Sequence, residues 1–173
     1  MPKKSPIDKP KAGAMLIAEP FNPESGFKRS VVLVSQHTRR GTIGFIINRP
    51  TPLKINEALE DFPEFDVPVY WGGPLKLDSI YYIHSIAELP GSKKILPGLF
   101  WGGDYEYLKD LIHAGKVDPK QIKFIAGFAA WPPEQLENEL YSDYWWITEG
   151  DAYSILIEEP TVVWGKVLRK MGH

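Results

Sequence analysis

The feature that most constrains the fold of this chain is a series of short strand-like segments that do not alternate strictly with helices. Brief aliphatic and aromatic runs recur between turns rich in Gly, Pro and Asn, a pattern typical of strands. Strict alternation with helices would instead predict a doubly wound parallel sheet. The sequence therefore predicts an α+β fold in a single domain, with roughly eight strands and three or four helices.

Each predicted element rests on its own local pattern. The strand predictions cover residues 14–18, 30–36, 42–48, 67–71, 79–85, 95–103, 122–130, 144–148 and 152–157. Helices are predicted from Asn56 as an N-cap, from Asp104 to Gly115, over the segment EQLENEL behind two prolines, and from about Thr161 onward.

Composition excludes several classes of function. The chain of 173 residues has no cysteine, so disulfides, thiolate catalysis and Cys-based zinc or iron–sulfur sites are excluded. No apolar run approaches the roughly 20 residues of a membrane span, and no apolar stretch of a signal peptide follows the lysine-rich beginning. We therefore expect a cytoplasmic protein, with a mobile tail at residues 1–11 and a single domain at residues 12–173.

Charge is distributed unevenly along the chain. Residues 1–54 hold ten Lys or Arg against three Asp or Glu, whereas residues 124–165 hold eight carboxylates and no Lys or Arg. A DNA-binding domain usually combines a basic pI with clustered positive charge, and the pI here is about 6.1. Direct nucleic-acid binding by the basic third is therefore only an alternative, and it would use Lys28, Arg29, Arg39, Arg40 and Lys54.

Two predicted strands, 30–36 and 42–48, can pair as a hairpin across the turn TRRG. With His37 opposite Thr42, this register sets Ser30 opposite Arg49 and Val31 opposite Asn48. It gathers two arginines, a serine and an asparagine at the open end. Arginines bind carboxylates and phosphates bidentately. The candidate ligand- or anion-binding residues are Arg29, Ser30, Asn48 and Arg49.

The alternative for these four residues is a structural role. The arginines would then pair with nearby acids such as Glu19 or Glu24, or bond the carbonyls at the strand ends. A slip of one residue in the hairpin register would also separate the group, because facing alternates along a strand.

No pattern in the sequence predicts catalysis or a metal site. The four histidines fall on separate parts of the chain, while metal binding and acid–base catalysis need such groups to converge. Neither a GxSxG motif nor a P-loop is present. We expect no catalytic residue, no cofactor and no metal, and an unrecognised enzyme with an Arg-lined anion pocket is kept as a further alternative.

Aromatic and polar residues towards the C-terminus predict a partner surface, because Trp and Tyr are favoured anchors at interfaces. The candidate partner-surface residues are Trp131, Gln135, Glu139 and Trp145. Two other readings are open. Alternation within the segment DYWWIT would bury at least half of the rings. Gln135 and Glu139 would be ordered against Trp131 or against the predicted strand YWW.

Several segments occur in the order and spacing of the AlgH/YqgE family: GAMLIAEP, FKRSVVLVSQH, GFIINRP, WGGP, IHS, WGGD, and FAAWPPEQLENEL followed by YWW. The chain resembles this family over nearly everything after residue 12. The resemblance implies an α+β fold with a mixed, mostly antiparallel, bifurcated sheet curled into a pseudo-barrel. It also implies a bacterial protein of a largely uncharacterised family, some of whose members are considered transcriptional regulators, with no established enzymatic activity.

The chain departs from the family pattern at one helix start. The family usually has Ala-Gly-Trp followed by Gly-Pro-Gly-Gln-Leu, whereas this chain has Ala-Ala-Trp at 129–131 followed by Pro-Pro-Glu-Gln-Leu at 132–136. Glycines at a helix N-terminus let an anion approach the backbone amides. Here the Glu134 carboxylate already interacts with the helix dipole, so no anion is expected at this helix end.

These patterns together predict a non-enzymatic binding or regulatory protein. It would act through a protein partner or a small anionic ligand. The charged and hydrogen-bonding side chains favour binding, and no pattern of side chains in the sequence predicts catalysis.

Overall fold

The computed structural model describes residues 9–21 and 27–172 of the chain. The strands are β1 (Ala14–Ala18), β2 (Val31–Thr38), β3 (Gly41–Ile46), β4 (Pro50–Lys54), β5 (Pro68–Trp71), β6 (Leu75–His84), β7 (Lys93–Leu96), β8 (Leu99–Trp101), β9 (Ile122–Trp131) and β10 (Trp145–Glu149). The helices are α1 (Ile55–Ala58), α2 (Tyr105–His113), α3 (Gln135–Tyr141) and α4 (Val163–Lys170), with a 3-10 turn at Pro119–Gln121 and a π-helix at Tyr153–Ile157.

The strands form one sheet in the order β10-β1-β2-β3-β9-β6-β8-β7, with β4 and β5 off this path. All pairings are antiparallel except that of β5 with β9. The sheet curls into a half-barrel, and a side chain at Gly13, just before β1, would meet the carbonyl of Ile95 in β7. The predicted α+β class and curled, mostly antiparallel sheet are therefore confirmed.

The sheet forks along one edge of β9. The second half of β9 pairs with β3, with Gly44 opposite Ala129, while the first half pairs with β5, with Tyr70 opposite Ile125. β6 occupies the other edge of β9. This divergence of β3 and β5 is the predicted bifurcation, and it places the chain after β3 beside the start of β9.

Buried side chains form three clusters that attach the helices to this sheet. The π-helix and α4 pack on the first, which includes Ile17 and Ile47. Helices α1 and α2 pack on the second, around Phe124. Helix α3 packs on the third through Leu136, together with Trp131 and Trp145.

The segment 152–157 is a π-helix, so its prediction as a strand is wrong. The carboxylate of Asp151 accepts hydrogen bonds from the backbone N–H and the hydroxyl of Ser154, both at 2.8 Å, and these bonds start a helical turn. Such local bonds compete with strand formation, and an alternating apolar pattern does not reveal them.

Three smaller predictions also need correction. The segment 95–103 contains two strands, β7 and β8, because Gly98 adopts the left-handed φ of +79° and turns the chain back. β4 was not predicted, because its sequence PTPLK contains two prolines and proline is normally confined to edge strands. Among the described strands β4 pairs with β5 alone, as an edge strand does. Asn56 does not cap α1, which begins at Ile55; its side chain instead accepts a hydrogen bond from the backbone N–H of Phe65 at 3.0 Å.

The β2–β3 hairpin forms as predicted, but its register shifts by one residue part-way along. His37 is opposite Thr42, whereas Val34 is opposite Gly44, because a β-bulge inserts Ser35. The predicted pairs of Ser30 with Arg49 and of Val31 with Asn48 are therefore wrong as backbone pairs.

Much of the predicted tail, at residues 1–8, lies outside the described residues, so only its last part can be placed. There Pro10 is buried, and Lys11 Nζ lies 2.6 Å from a carboxylate oxygen of Glu149 in β10. Within the described ranges, no helix is both long enough and apolar enough to cross a membrane.

Candidate functional site: an arginine-lined cleft

A cleft of about 270 Å³ lies where the chain leaves β3. We call it the arginine cleft. It is formed by the turn before β2, the connection from β3 to β4, and the approach to α4 with its first turn. The lining residues are Lys28, Arg29, Asn48, Arg49, Pro160, Thr161 and Trp164.

Asn48 builds the cleft rather than offering its amide to a ligand. Its Oδ1 accepts a hydrogen bond from the Val31 N–H and its Nδ2 donates one to the Arg29 carbonyl, both at 3.0 Å. Backbone groups at a strand end need such partners. The side chain therefore joins the two strand ends across the offset that the β-bulge creates.

Arg49 is held by one hydrogen bond and one aromatic ring. Its Nη2 donates to the Lys28 carbonyl at 2.7 Å, and its guanidinium carbon lies 5.6 Å from the centroid of the Trp71 ring. Burial lowers the pKa of this guanidinium from its usual value, but an arginine remains charged at neutral pH. Among the described residues, no carboxylate forms an ion pair with Arg49.

Arg29 stands over a second tryptophan on the facing wall. Its guanidinium carbon lies 5.6 Å from the centroid of the Trp164 ring, and the indole N–H of Trp164 donates to the Ala18 carbonyl at 2.9 Å. Glu19, proposed above as an acidic partner, instead accepts a hydrogen bond from the Phe21 N–H at 2.8 Å. Glu24 lies outside the described residues.

Ser30 does not line the cleft. It is fully buried, its backbone N–H donates to the Phe27 carbonyl, and none of the described residues forms a hydrogen bond with its hydroxyl. Three of the four candidate residues, Arg29, Asn48 and Arg49, thus meet at one cleft, and ligand binding there stays a prediction.

Sequence reasoning did not connect the second wall of the cleft to the first. This wall, formed by Pro160, Thr161 and Trp164, lies more than about 110 residues from Arg49 along the chain. The hydrophobic periodicity of a local segment cannot predict a contact between residues so far apart in sequence. The sequence placed Trp164 only within the last helix, which was predicted from about Thr161 onward.

Lys123, behind the cleft, was also missed. It is 5% exposed, and its Nζ donates to the carbonyls of Ile47 at 2.8 Å and Ile155 at 2.6 Å. The same atom lies 4.3 Å from the centroid of the Tyr70 ring. Burial lowers the pKa of this amine to about 7. A lysine inside the otherwise apolar strand IKFIAGFAA was the available signal, since a buried charge needs a reason.

The predicted partner surface needs correction at its two tryptophans. Trp131 and Trp145 are 4% and 1% exposed, so these rings belong to the core. Oε1 of Glu139 accepts both indole N–H groups, at 3.1 and 2.9 Å, and Oε2 accepts from Gln135 at 2.7 Å. The four residues form a network that holds α3 on the sheet, as the alternative reading of Gln135 and Glu139 expected.

The described histidines lie on three different elements, His37 on β2, His84 on β6 and His113 at the end of α2. His84 is buried, and its Nδ1 accepts the Ile86 N–H while Nε2 lies 2.8 Å from the Gly102 carbonyl. Burial lowers the pKa of this imidazole, which favours the neutral ring. Across the described residues no three His, Asp or Glu side chains are grouped as metal ligands.

The basic residues of the nucleic-acid alternative lie in separate places. Arg39 and Arg40 are at the turn of the β2–β3 hairpin, and Lys28 and Arg29 precede β2, an eight-residue strand, at its other end. A strand of that length spans about 26 Å. Lys54 pairs with Asp66 at 2.8 Å.

The class that the fold and the site define is an α+β half-barrel with a forked sheet and a cation-lined cleft at the fork. The chain belongs to the AlgH-like family, whose family model matches residues 15–173.

Curated relatives and solved structures agree with this assignment. The UPF0301 protein of Pelodictyon phaeoclathratiforme is 39% identical over 167 residues, covering 96% of this chain and 89% of the relative. The UPF0301 protein of Bacteroides thetaiotaomicron is 34% identical over 164 residues, covering 94% of this chain and 84% of the relative. The solution structure of the AlgH protein from Pseudomonas aeruginosa is similar at a TM-score of 0.77 and 25% identity, covering all of this chain and 94% of that structure.

Proposed function

We propose that this protein is a non-enzymatic binding protein of the bacterial cytoplasm that takes a small anionic ligand in the arginine cleft, and that ligand binding serves regulation. The observation that carries the proposal is the composition of the cleft. Three cationic side chains, Lys28, Arg29 and Arg49, line it, and none of the described lining residues carries a carboxylate.

The two arginines are partly preorganised for an anion. Each guanidinium lies over a tryptophan ring, and such cation–π contacts restrict the side chain while leaving in-plane N–H groups able to donate. Ordering a side chain on binding costs about 0.5–1.5 kcal/mol. Prior stacking reduces that cost and so favours affinity.

The size and charge of the cleft indicate the ligand class. Pockets for drug-sized ligands measure about 300–1,000 Å³, so a cleft of about 270 Å³ fits a smaller molecule. Three cations, with no acid among the described lining residues, favour two negative charges over one. A phosphate monoester or a dicarboxylate meets both conditions.

The lining also argues against catalysis at this place. General acid–base catalysis uses a side chain whose pKa lies near the working pH, most often His, Asp or Glu. None of the described lining residues is one of these, and the hydroxyl among them, on Thr161, belongs to an exposed residue.

The test measures sulfate and phosphate binding by calorimetry at fixed ionic strength, with Arg49→Met as the main variant. We expect Arg49→Met to weaken binding at least about tenfold, because a bidentate charged contact contributes roughly 1.5–3 kcal/mol. The matched control is Arg40→Met, which removes the same charge at the far end of the hairpin and should leave binding unchanged.

Two outcomes would overturn the proposal. One is an absence of anion binding by the unaltered chain. The other is an equal loss in Arg49→Met and Arg40→Met, which would reveal only a general electrostatic effect. Thermal unfolding of both variants checks that neither has lost its fold.

A further inference from the structure

Lys123 joins the two walls of the arginine cleft from behind. Its Nζ donates to the carbonyl of Ile47, the residue directly before Asn48 and Arg49. The same Nζ donates to the carbonyl of Ile155 in the π-helix, after which the chain continues to Pro160 and Thr161 on the opposite wall. Segments far apart in sequence thus meet at one nitrogen atom.

The opposite wall is also held by contacts of its own. Glu158, at the end of the π-helix, pairs with Lys166 of α4 at 3.0 Å. The N–H groups of Val162 and Val163 both donate to the Glu159 carbonyl. These bonds hold the wall to α4. Two further bonds hold it to the sheet, one from the Trp164 indole N–H to the Ala18 carbonyl at 2.9 Å and one from Lys123 to the Ile155 carbonyl.

Among the described residues, the neighbours of Nζ carry no counter-charge. From β5 it faces the Tyr70 ring, from the end of β3 and from the π-helix it faces backbone carbonyls, and its partner in β6 is Ile83. Glu159 acts on Tyr70, whose pKa is raised by burial and then by that carboxylate. Across the described residues no acid is paired with Lys123.

We propose that Lys123 is a positioning residue that couples anion binding in the arginine cleft to protonation, so that the protein binds a dianion more tightly when Lys123 is an ammonium. This inference rests on the proposed function of the cleft. The ammonium has three N–H donors, and its charge-assisted bonds are about twice as strong as those of a neutral donor. It therefore holds both walls more firmly than the amine does.

Linkage makes the coupling reciprocal. A bound dianion places negative charge on the walls that Lys123 joins, and this stabilises the protonated form. Burial lowers the pKa of Lys123 to about 7. The change in protonation of Lys123 therefore falls within the pH range of ordinary buffers.

The experiment uses sulfate as the probe, because sulfate stays dianionic at neutral pH whereas phosphate itself titrates there. Sulfate binding is measured by calorimetry from about pH 5.5 to 8.5 for the full chain and for Lys123→Met. We expect the affinity of the unaltered chain to fall about tenfold across this range, a size typical of coupled sites. Lys123→Met, which keeps the length of the side chain but cannot titrate, should show no such fall.

A second measurement does not depend on the variant folding. The chain is labelled with 13C-lysine, and the Lys123 Cε signal is titrated with and without sulfate. The midpoint is expected near pH 7 without sulfate and higher with it. A midpoint that sulfate does not move would overturn the coupling.

The outcomes separate the two proposals. Failure of sulfate to bind at every pH removes the proposed function of the cleft. Sulfate binding that is independent of pH, or that weakens with pH equally in Lys123→Met, keeps the cleft as a binding site and removes the role of Lys123.

Discussion

Asn48 and Arg49 are neighbours in sequence with different roles. The amide of Asn48 is used on both sides by the backbone of the preceding turn. One nitrogen of Arg49 bonds the Lys28 carbonyl, and its guanidinium otherwise lies over Trp71 at the cleft. After β3, Asn48 therefore has a structural role, and Arg49 is the proposed ligand-binding residue.

Glu134 offers a test of backbone strain at a single residue. It precedes α3 with φ +70°, a left-handed conformation that costs an L-residue about 1–2 kcal/mol and costs glycine little. We expect Glu134→Gly to raise the free energy of unfolding by about 0.5–1 kcal/mol in urea titrations, after allowing for the greater freedom of glycine in the unfolded chain.

The control for this prediction lies in the same helix. Asn138 is exposed inside α3, so Asn138→Gly should lower stability by a few tenths of a kcal/mol, roughly the difference in helix propensity. A loss of stability in both glycine variants would show that Glu134 is not strained.

Among the elements, α3 is attached to the sheet chiefly through Leu136 and Glu139. One oxygen of Glu139 accepts hydrogen bonds from two indole N–H groups, those of Trp131 and Trp145. Both rings are buried, so each N–H would lack a partner without this acceptor. An unsatisfied buried donor costs about 1–3 kcal/mol.

Two substitutions separate this acceptor role from the charge of Glu139. Glu139→Ala removes the acceptor and should lower the free energy of unfolding by about 2–4 kcal/mol. Glu139→Gln keeps a carbonyl oxygen in place and should cost less than about 1 kcal/mol. Denaturant unfolding followed by tryptophan fluorescence measures both, and equal losses in the two variants would contradict the acceptor role.

The sequence predictions succeeded where the structure depends on residues close together in sequence. β1 was placed at residues 14–18, and the cap of α2 by Asp104 was predicted from residue type alone, because such features depend on neighbouring residues. The π-helix was missed, since Asp151 redirects the backbone through its side chain. The β-bulge at Ser35 was missed as well, because no residue-type signal in the strand marks it.

The candidate site shows the same division. The arginines were found because they stand at a strand end next to polar residues, and the side chain of Asn48 preserved their cluster despite the shifted register. The wall with Thr161 was not found, because it comes from the other end of the chain. Only tertiary packing of α4 brings it there.

At the scale of the whole molecule, the fork in the sheet explains the presence of Lys123. β3 and β5 diverge from β9 at this point, and no described strand N–H donates to the Ile47 carbonyl. In the π-helix, the Ile155 carbonyl likewise receives its hydrogen bond from Lys123 and not from a described backbone N–H. A buried carbonyl without a donor is unfavourable. One lysine satisfies both, and burial of its charge is the cost.

That cost predicts the direction in which stability changes with pH. The pKa of Lys123 in the folded protein is about 7, below its ordinary value of 10.5, so between these values the unfolded chain binds the extra proton. The free energy of unfolding should therefore rise with pH from about 7 towards 10, with a slope of at most about 1.4 kcal/mol per pH unit from this residue. Below pH 7 Lys123 is protonated in both the folded and the unfolded state and contributes no slope.

Urea unfolding between pH 7 and 9.5 measures this effect of Lys123. Above about pH 10 the raised pKa of Tyr70 changes the free energy of unfolding in the opposite direction, so the measurement stops below that pH. Lys123→Met should reduce the rise by the share that Lys123 supplies. If the variant and the unaltered chain rise equally, the amine is not neutral at alkaline pH in the folded state, and the fork then holds a charged lysine throughout.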